Sequence, residues 1–227
     1  TSSKAELLEK GKTLKLSVSG GKIIEAEKIL VSVGRKPDIN CVEGSGCGIK
    51  EAGGRIVVDE YLETGENKIY AIGDCVAGPM LAHKASYDAI VACDNILGLK
   101  RKVDYLNIPS CIWTDPEMAS VGLNEEDARS KYPDAKIGKF SYLASGKALI
   151  MGKSEGFVKI IGDAKGNILG VEIFGEGACD LISEAALAKT SNINIKDWAL
   201  SVHGHPTLSE VLQEATHVFC GTPIHST

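Results

Sequence analysis

The chain has 227 residues, of which 44% are hydrophobic and 24% charged, with a formal net charge of −5. That length supports one large or two ordinary domains with a sizeable core, and the composition is that of a soluble globular protein. Acids and bases are mixed along the chain, which argues against a nucleic-acid surface; no apolar run is long enough to span a membrane, and the first residues, Thr1 to Glu6, do not resemble a signal peptide.

In chain order, Lys4 to Lys10 has the look of a helix, and residues 13–33 read as two strands joined by Gly20-Gly21. Thr13 to Val18 alternates as a half-exposed strand does, whereas the second run ends in Lys28-Ile29-Leu30-Val31-Ser32-Val33, which suits a strand covered on both faces. It stops at Gly34-Arg35-Lys36-Pro37, where Gly34 either makes a turn or lets a ligand approach the backbone. No strand leads into a Gly-x-Gly-x-x-Gly loop, and Gly44, Gly46 and Gly48 have the wrong spacing for one, so any dinucleotide domain here is incomplete. Those glycines, with Ser45, place Cys41 and Cys47 in a loop. No two of the seven cysteines have the two-residue gap of a redox or zinc motif, and the set reads as reduced thiols of a cytosolic protein.

Lys68 to Ile72 is a short apolar strand that ends in Gly73-Asp74. An acid so placed accepts hydrogen bonds from ribose or ribityl hydroxyls, or simply sits in a turn. Gly78-Pro79 leads into Met80-Leu81-Ala82-His83 and a helix with Ala82, Ala85, Ala89, Ala92, Cys93 and Ile96 near helical spacing, stopped by Gly98. Its small residues predict close packing, and its start suits an electron-rich group. Basic and polar residues from Gly98 to Ile108 mark a boundary. Beyond it, strands at 108–112 and 117–121 flank Asp115-Pro116, Asn124 caps a helix with acids in its first turn, and strands follow at about 136–142, 156–161 and 168–174. Helices at 177–189, 195–200 and 206–218 complete an α+β domain with an antiparallel sheet.

The last helix follows His203-Gly204-His205-Pro206-Thr207-Leu208-Ser209-Glu210, in which Pro206 can serve as a first helical residue and Glu210 lies one turn in. This spacing lets Glu210 hold one ring nitrogen of His205 and leave the other free to take a proton, which makes His205 a candidate general base; the alternative is an ordinary helix start with an acid at the positive end of the dipole.

Three stretches in this order, Gly34-Arg35-Lys36-Pro37, Tyr70 to Asp74 with Gly78 to Ala85, and His203 to Glu210, closely resemble the flavin-dependent pyridine nucleotide–disulfide oxidoreductases. Within that family the Met-Leu-Ala-His and His-x-His-Pro-Thr-x-Ser-Glu runs are similar to the branch that oxidises dihydrolipoamide rather than those acting on glutathione disulfide or mercuric ion. The resemblance covers about residues 13–218. It implies an α/β remnant of nucleotide-binding, Rossmann-like domains followed by an α+β interface domain: residues 1–39 as the tail of an NAD-binding domain, 40–105 as a returning segment of an FAD-binding domain, and 106–227 as the dimerisation domain.

The same resemblance assigns FAD to Asp74 and to Met80, Leu81, Ala82 and His83, and the nicotinamide cofactor NAD to Gly34. It makes His205 the base toward the substrate thiol and Glu210 its orienting partner, acting in the active site of the other subunit of a homodimer formed through 106–227. Partners would be the lipoyl domains of 2-oxoacid dehydrogenase or glycine cleavage complexes, and no metal is called for. The family's flavin loop, redox cysteine pair and nicotinamide loop have no counterpart, so the chain corresponds to a C-terminal half expected to be inactive alone. Cys75 is expected to be a buried thiol and His225 incidental, while Asp115 stands where many members carry a histidine. The competing readings are a non-catalytic dimerisation module and another disulfide reductase of the same family.

Overall fold

A computed structural model describes residues 2–42 and 46–225, so Gly44 and Ser45 of the glycine-rich loop lie outside the described residues. The chain opens with a three-stranded antiparallel meander of β1 (Ala5–Lys10), β2 (Leu14–Val18) and β3 (Lys22–Ala26). The helix expected over Lys4 to Lys10 is therefore a strand: Ala5 to Lys10 pairs along β2, and backbone pairing overrides the good helix propensity of its Ala, Leu, Glu and Lys residues. The strand expected through Val33 ends at Ala26. Residues 28–33 pair with no strand among the described residues, and Leu30 and Val33 are each 91% exposed. A run patterned for cover on both faces has here no neighbour to cover it.

A small hairpin of β4 (Glu51–Ala52) and β5 (Arg55–Ile56) follows. The predicted strand over Lys68 to Ile72 is reduced to a single bridge between Glu63 and Tyr70, and its first residue, Lys68, takes a positive φ of 66° outside extended backbone. Gly73–Cys75 form one 3₁₀ turn, and α1 spans Ala82–Ile96 as the spacing of its alanines predicts.

The second half is built on a five-stranded antiparallel sheet in the order β6-β7-β10-β9-β8, from β6 (Ser110–Ile112), β7 (Met118–Gly122), β8 (Lys136–Ser141), β9 (Gly156–Gly162) and β10 (Ile168–Gly175). Period-two alternation, shifted in β10 by an irregularity between Ile168 and Gly170, splits these strands between two cores. Val158, Ile160, Val171 and Ile173 point into the main core, whereas Ile161 and Leu169 point to the opposite face and meet Ala128 of α2 (Glu125–Lys131). Asn124 caps α2 as expected, its Oδ1 accepting from Asp127 N at 2.7 Å.

A short helix missed in the sequence, α3 (Gly146–Met151), precedes β9. The main core is closed by α4 (Ala178–Thr190), α5 (Ile195–Ala199) and α6 (Glu210–Cys220), with Ile182, Ala185, Trp198, Leu212 and Ala215 buried against the sheet. Ile182 and Leu212 each contribute on the order of 1.5–3 kcal/mol by burial. Gly138 of β8 sets how closely α6 approaches: a Cβ there would strike Ala215 O and come within 2.6 Å of Phe219 N. The absence of a side chain at one strand position thus seats the helix that carries Glu210.

Candidate functional site

The predicted pair is formed. His205 Nδ1 lies 2.8 Å from Glu210 Oε1, and Glu210 Oε2 accepts the Thr207 N–H at 2.7 Å. With Nδ1 turned to a carboxylate, the assigned tautomer carries its proton on Nδ1, leaving the Nε2 lone pair outward on a side chain that is 78% exposed. Burial alone would raise the Glu210 carboxyl, but the Thr207 N–H and His205 outweigh it and hold the group below the ordinary range. The expected helix start is corrected. α6 begins at Glu210 rather than Pro206, because Thr207 N–H is taken by Glu210 and Thr207 Oγ1 donates to Gly204 O at 2.7 Å, closing a side-chain-stabilised turn in place of helix. The Glu210 bond ties the turn that carries His205 to the head of α6, and the Gly204 bond closes the turn itself.

His203, two residues earlier, is committed differently. Its Nε2 is 2.8 Å from Glu184 Oε1, its Nδ1 is 3.1 Å from Ser201 O, and Trp198 Nε1 donates to the same Glu184 oxygen at 2.7 Å. Both ring nitrogens face acceptors, so the charged form is favoured: the Glu184 hydrogen bond, opposed by burial, raises the His203 pKa. This ring ties α4 to the turn before α6 and has no nitrogen free to act as a base. His225, expected to be incidental, is held against α6: its Nδ1 lies 2.7 Å from Glu214 Oε1 and its backbone N–H donates to Glu214 Oε2 at 3.2 Å. Glu214 stands four residues after Glu210, on the same side of α6, and no spacing in the sequence announces its contact with the tail.

Asp74 sits exposed on the Gly73–Cys75 turn. The turn is held from below by α1. Asp88 Oδ2 accepts the Gly73 N–H at 2.9 Å, Lys84 Nζ donates to Gly73 O at 2.9 Å, and Lys84 and Asp88 pair at 2.7 Å with both side chains fully buried. Asp88 Oδ1 is buried without a hydrogen-bond partner, and the Tyr105 phenol is pushed up by burial first and then by the Asp88 charge. From the other side Arg55 Nη1 donates to Val76 O and Gly78 O, each at 2.9 Å. Sequence reading missed Lys84 and Asp88, although their i, i+4 spacing was visible.

Met80 and Leu81 are half-buried beside this turn, Ala82 opens α1, and no side chain caps that helix or places an acid in its first turn. His83 Nε2 lies 2.7 Å from Pro109 O and, with Cys111 and Trp113, lines a cleft of about 630 Å³ between α1 and the sheet. Gly34 lies in exposed, irregular backbone with φ 111°. Cys75 is half-buried rather than buried, donating to Ile72 O at 3.1 Å, and Asp115 carries an exposed ion pair to Lys153 at 3.1 Å. Burial pushes the Cys179 thiol up to about 12 and raises Cys111 as well, so both are held toward the protonated thiol. Among the described residues no cluster of three or more metal-ligating side chains occurs, and no helix is long and apolar enough to cross a membrane.

The pyridine nucleotide-disulphide oxidoreductase model matches residues 1–89, and the dimerisation-domain model of the same family matches 108–216. The chain belongs to the pyridine nucleotide-disulphide oxidoreductases.

It is 42% identical to the dihydrolipoyl dehydrogenase of Geobacillus stearothermophilus over 224 residues, 97% of this chain and 48% of that protein. It is 44% identical to a dihydrolipoyl dehydrogenase of Bacillus subtilis over 202 residues, 88% of this chain and 43% of that one. The chain thus spans about half the length of the curated relatives it matches. Among solved structures, LpdA of Mycobacterium tuberculosis superposes with a TM-score of 0.85 at 24% identity, over 95% of this chain and 48% of its own. The HOCl-induced flavoprotein disulfide reductase RclA of Escherichia coli gives the same score at 23% identity, over 95% and 50%. At these identities the two structures speak for the fold.

Proposed function

We propose that the chain supplies the interface half of a dihydrolipoyl dehydrogenase, with His205 as base toward a dihydrolipoamide thiol. The observation that carries this reading is the His205–Glu210 pair, bonded through Nδ1 at 2.8 Å with its other nitrogen turned to solvent. In this reading His205 Nε2 takes the thiol proton, Nδ1–H stays on Glu210, and the carboxylate stabilises the imidazolium that forms. The product is a thiolate, the form that attacks a disulfide sulfur. The disulfide itself belongs to a part of the enzyme other than this chain, and the exposure of His205 supports its use across the interface of a homodimer formed through 106–227.

The residues fit an FAD. Asp74 presents an exposed carboxylate to ribityl or ribose hydroxyls, and the uncapped start of α1 at Ala82 and His83 offers backbone N–H groups to an electron-rich ring edge, with Met80 and Leu81 beside it. Bound there, the flavin supplies the two-electron relay between a dithiol and NAD. Gly34 would lie toward the nicotinamide cofactor. Residues 1–39 and 40–105 are the NAD-side and FAD-side segments in this reading, and the bare apolar run at Leu30, Val31 and Val33 supports a covering sheet supplied by the rest of the enzyme. Cytoplasmic lipoyl domains of 2-oxoacid dehydrogenase or glycine cleavage complexes are the proposed partners.

The test compares substrates in the flavin-bearing protein that contains this chain. Dihydrolipoamide with NAD is expected to be oxidised with a kcat/KM at least a hundredfold above that for glutathione disulfide with NADH. The opposite ranking would assign the protein to another branch of the family, and no turnover of either would favour a non-catalytic dimerisation module.

A further inference from the structure

We propose that Lys84 and Asp88 are positioning residues for the bound flavin dinucleotide: together they grip both backbone polar atoms of Gly73 and so aim the carboxylate of Asp74. This rests on the reading of Asp74 as a flavin ligand. The geometry is specific. Asp88 Oδ2 accepts the Gly73 N–H, Lys84 Nζ donates to the Gly73 carbonyl oxygen, and the two charges meet at 2.7 Å with no solvent exposure. Gly73 holds φ 78°, and a Cβ there would lie 3.3 Å from Ala85 Cβ, so the turn is pressed onto the same helix face that carries the pair.

The Lys84 ammonium lies 4.9 Å from the centre of the Tyr105 ring, and Tyr105 and the Lys84 stem also close on Gly78, at the far end of the same loop. With Arg55 holding Val76 O and Gly78 O, the loop after Asp74 is fixed along its length. A buried ion pair is a weak device for stability, since apolar residues of the same volume do as well. This pair directs its hydrogen bonds to the one residue before Asp74, which points to placement of that carboxylate.

The experiment reads flavin release, by recovery of free-flavin fluorescence after dilution, in the flavin-bearing protein that contains this chain. Four forms form a cycle: unmodified, Asp74→Ala, the neutral pair Lys84→Met with Asp88→Asn, and all three changes together. If the pair acts through Asp74, Asp74→Ala and the neutral pair each speed release at least tenfold, the triple variant is no faster than Asp74→Ala alone, and Asp88→Glu restores release to within threefold. Wild-type release from the neutral pair would overturn the proposal, as would effects that multiply, which would mean that the pair acts on general stability. Wild-type release from Asp74→Ala would instead overturn the flavin reading of Asp74, a separate and recognisable failure. Should the neutral pair not fold, Lys84→Arg takes its place, since the longer, planar guanidinium has to displace the buried turn to reach Gly73 O. The same tenfold acceleration is expected of it, and wild-type release again overturns the proposal.

Discussion

At His203 both ring nitrogens meet acceptors, and at His205 only Nδ1 does, so two histidines two residues apart take opposite parts. The Glu184 bond raises the His203 pKa above its ordinary 6.5, so its stabilisation is fully present below about pH 6.5 and is lost as pH rises through the folded value. Glu184→Gln should therefore lower the melting temperature more at pH 6 than at pH 9. Equal losses at both would mean that His203 is held neutral. Glu210 runs the other way: its carboxyl lies below the usual 4.5, so its stabilisation is present above that pH and is lost as pH falls through the folded value. The melting difference between the unmodified chain and Glu210→Gln should narrow on acidification from pH 6 to pH 3, and a difference that widens would contradict the assignment. The His205–Glu210 contact was legible in the sequence because five residues of spacing suffice to close it. The Glu184 and Glu214 partners were not equally legible, since the first joins segments 19 residues apart and the second depends on the tail turning back along α6.

Among the elements, those with long amphipathic or alternating patterns were readable: β8 to β10, α1 and α4 fall close to where their spacing places them. The failures share a cause. Ala5 to Lys10 is composed like a helix but is recruited by β2, and residues 28–33 are composed like a covered strand but meet no cover, so in both cases tertiary pairing decides against local preference. The head of α6 was misread because Thr207 spends its N–H and hydroxyl on a turn. The seat of α6 depends on Gly138, where an added methyl would meet the backbone of Ala215 and Phe219. Gly138→Ala should cost about 1–3 kcal/mol of stability by overpacking, read by denaturant unfolding. A loss under about 0.5 kcal/mol would mean that the helix shifts freely and that the sheet does not fix the position of Glu210.

On the scale of the whole molecule, two polar constructions stand on opposite sides of one boundary. The Asp74 turn and the start of α1 belong to the segment before residue 108, and the His205–Glu210 pair belongs to the sheet and helices after it, with His83 bonded to Pro109 O across the join at 2.7 Å. One chain thus carries both the turn proposed to face the cofactor and the residue proposed as base, and it spans a little under half the length of the dihydrolipoyl dehydrogenases to which it is 42% and 44% identical. The central claim is that His205 moves a thiol proton. It is tested most directly by thiol-dependent NAD reduction with His205→Ala in the flavin-bearing protein that contains this chain, with flavin content measured on the same samples. The account predicts a fall in kcat of roughly 10²–10⁴-fold with flavin content unchanged. A kcat within a fewfold of the unmodified enzyme, or a loss of flavin with normal turnover per remaining flavin, would contradict it.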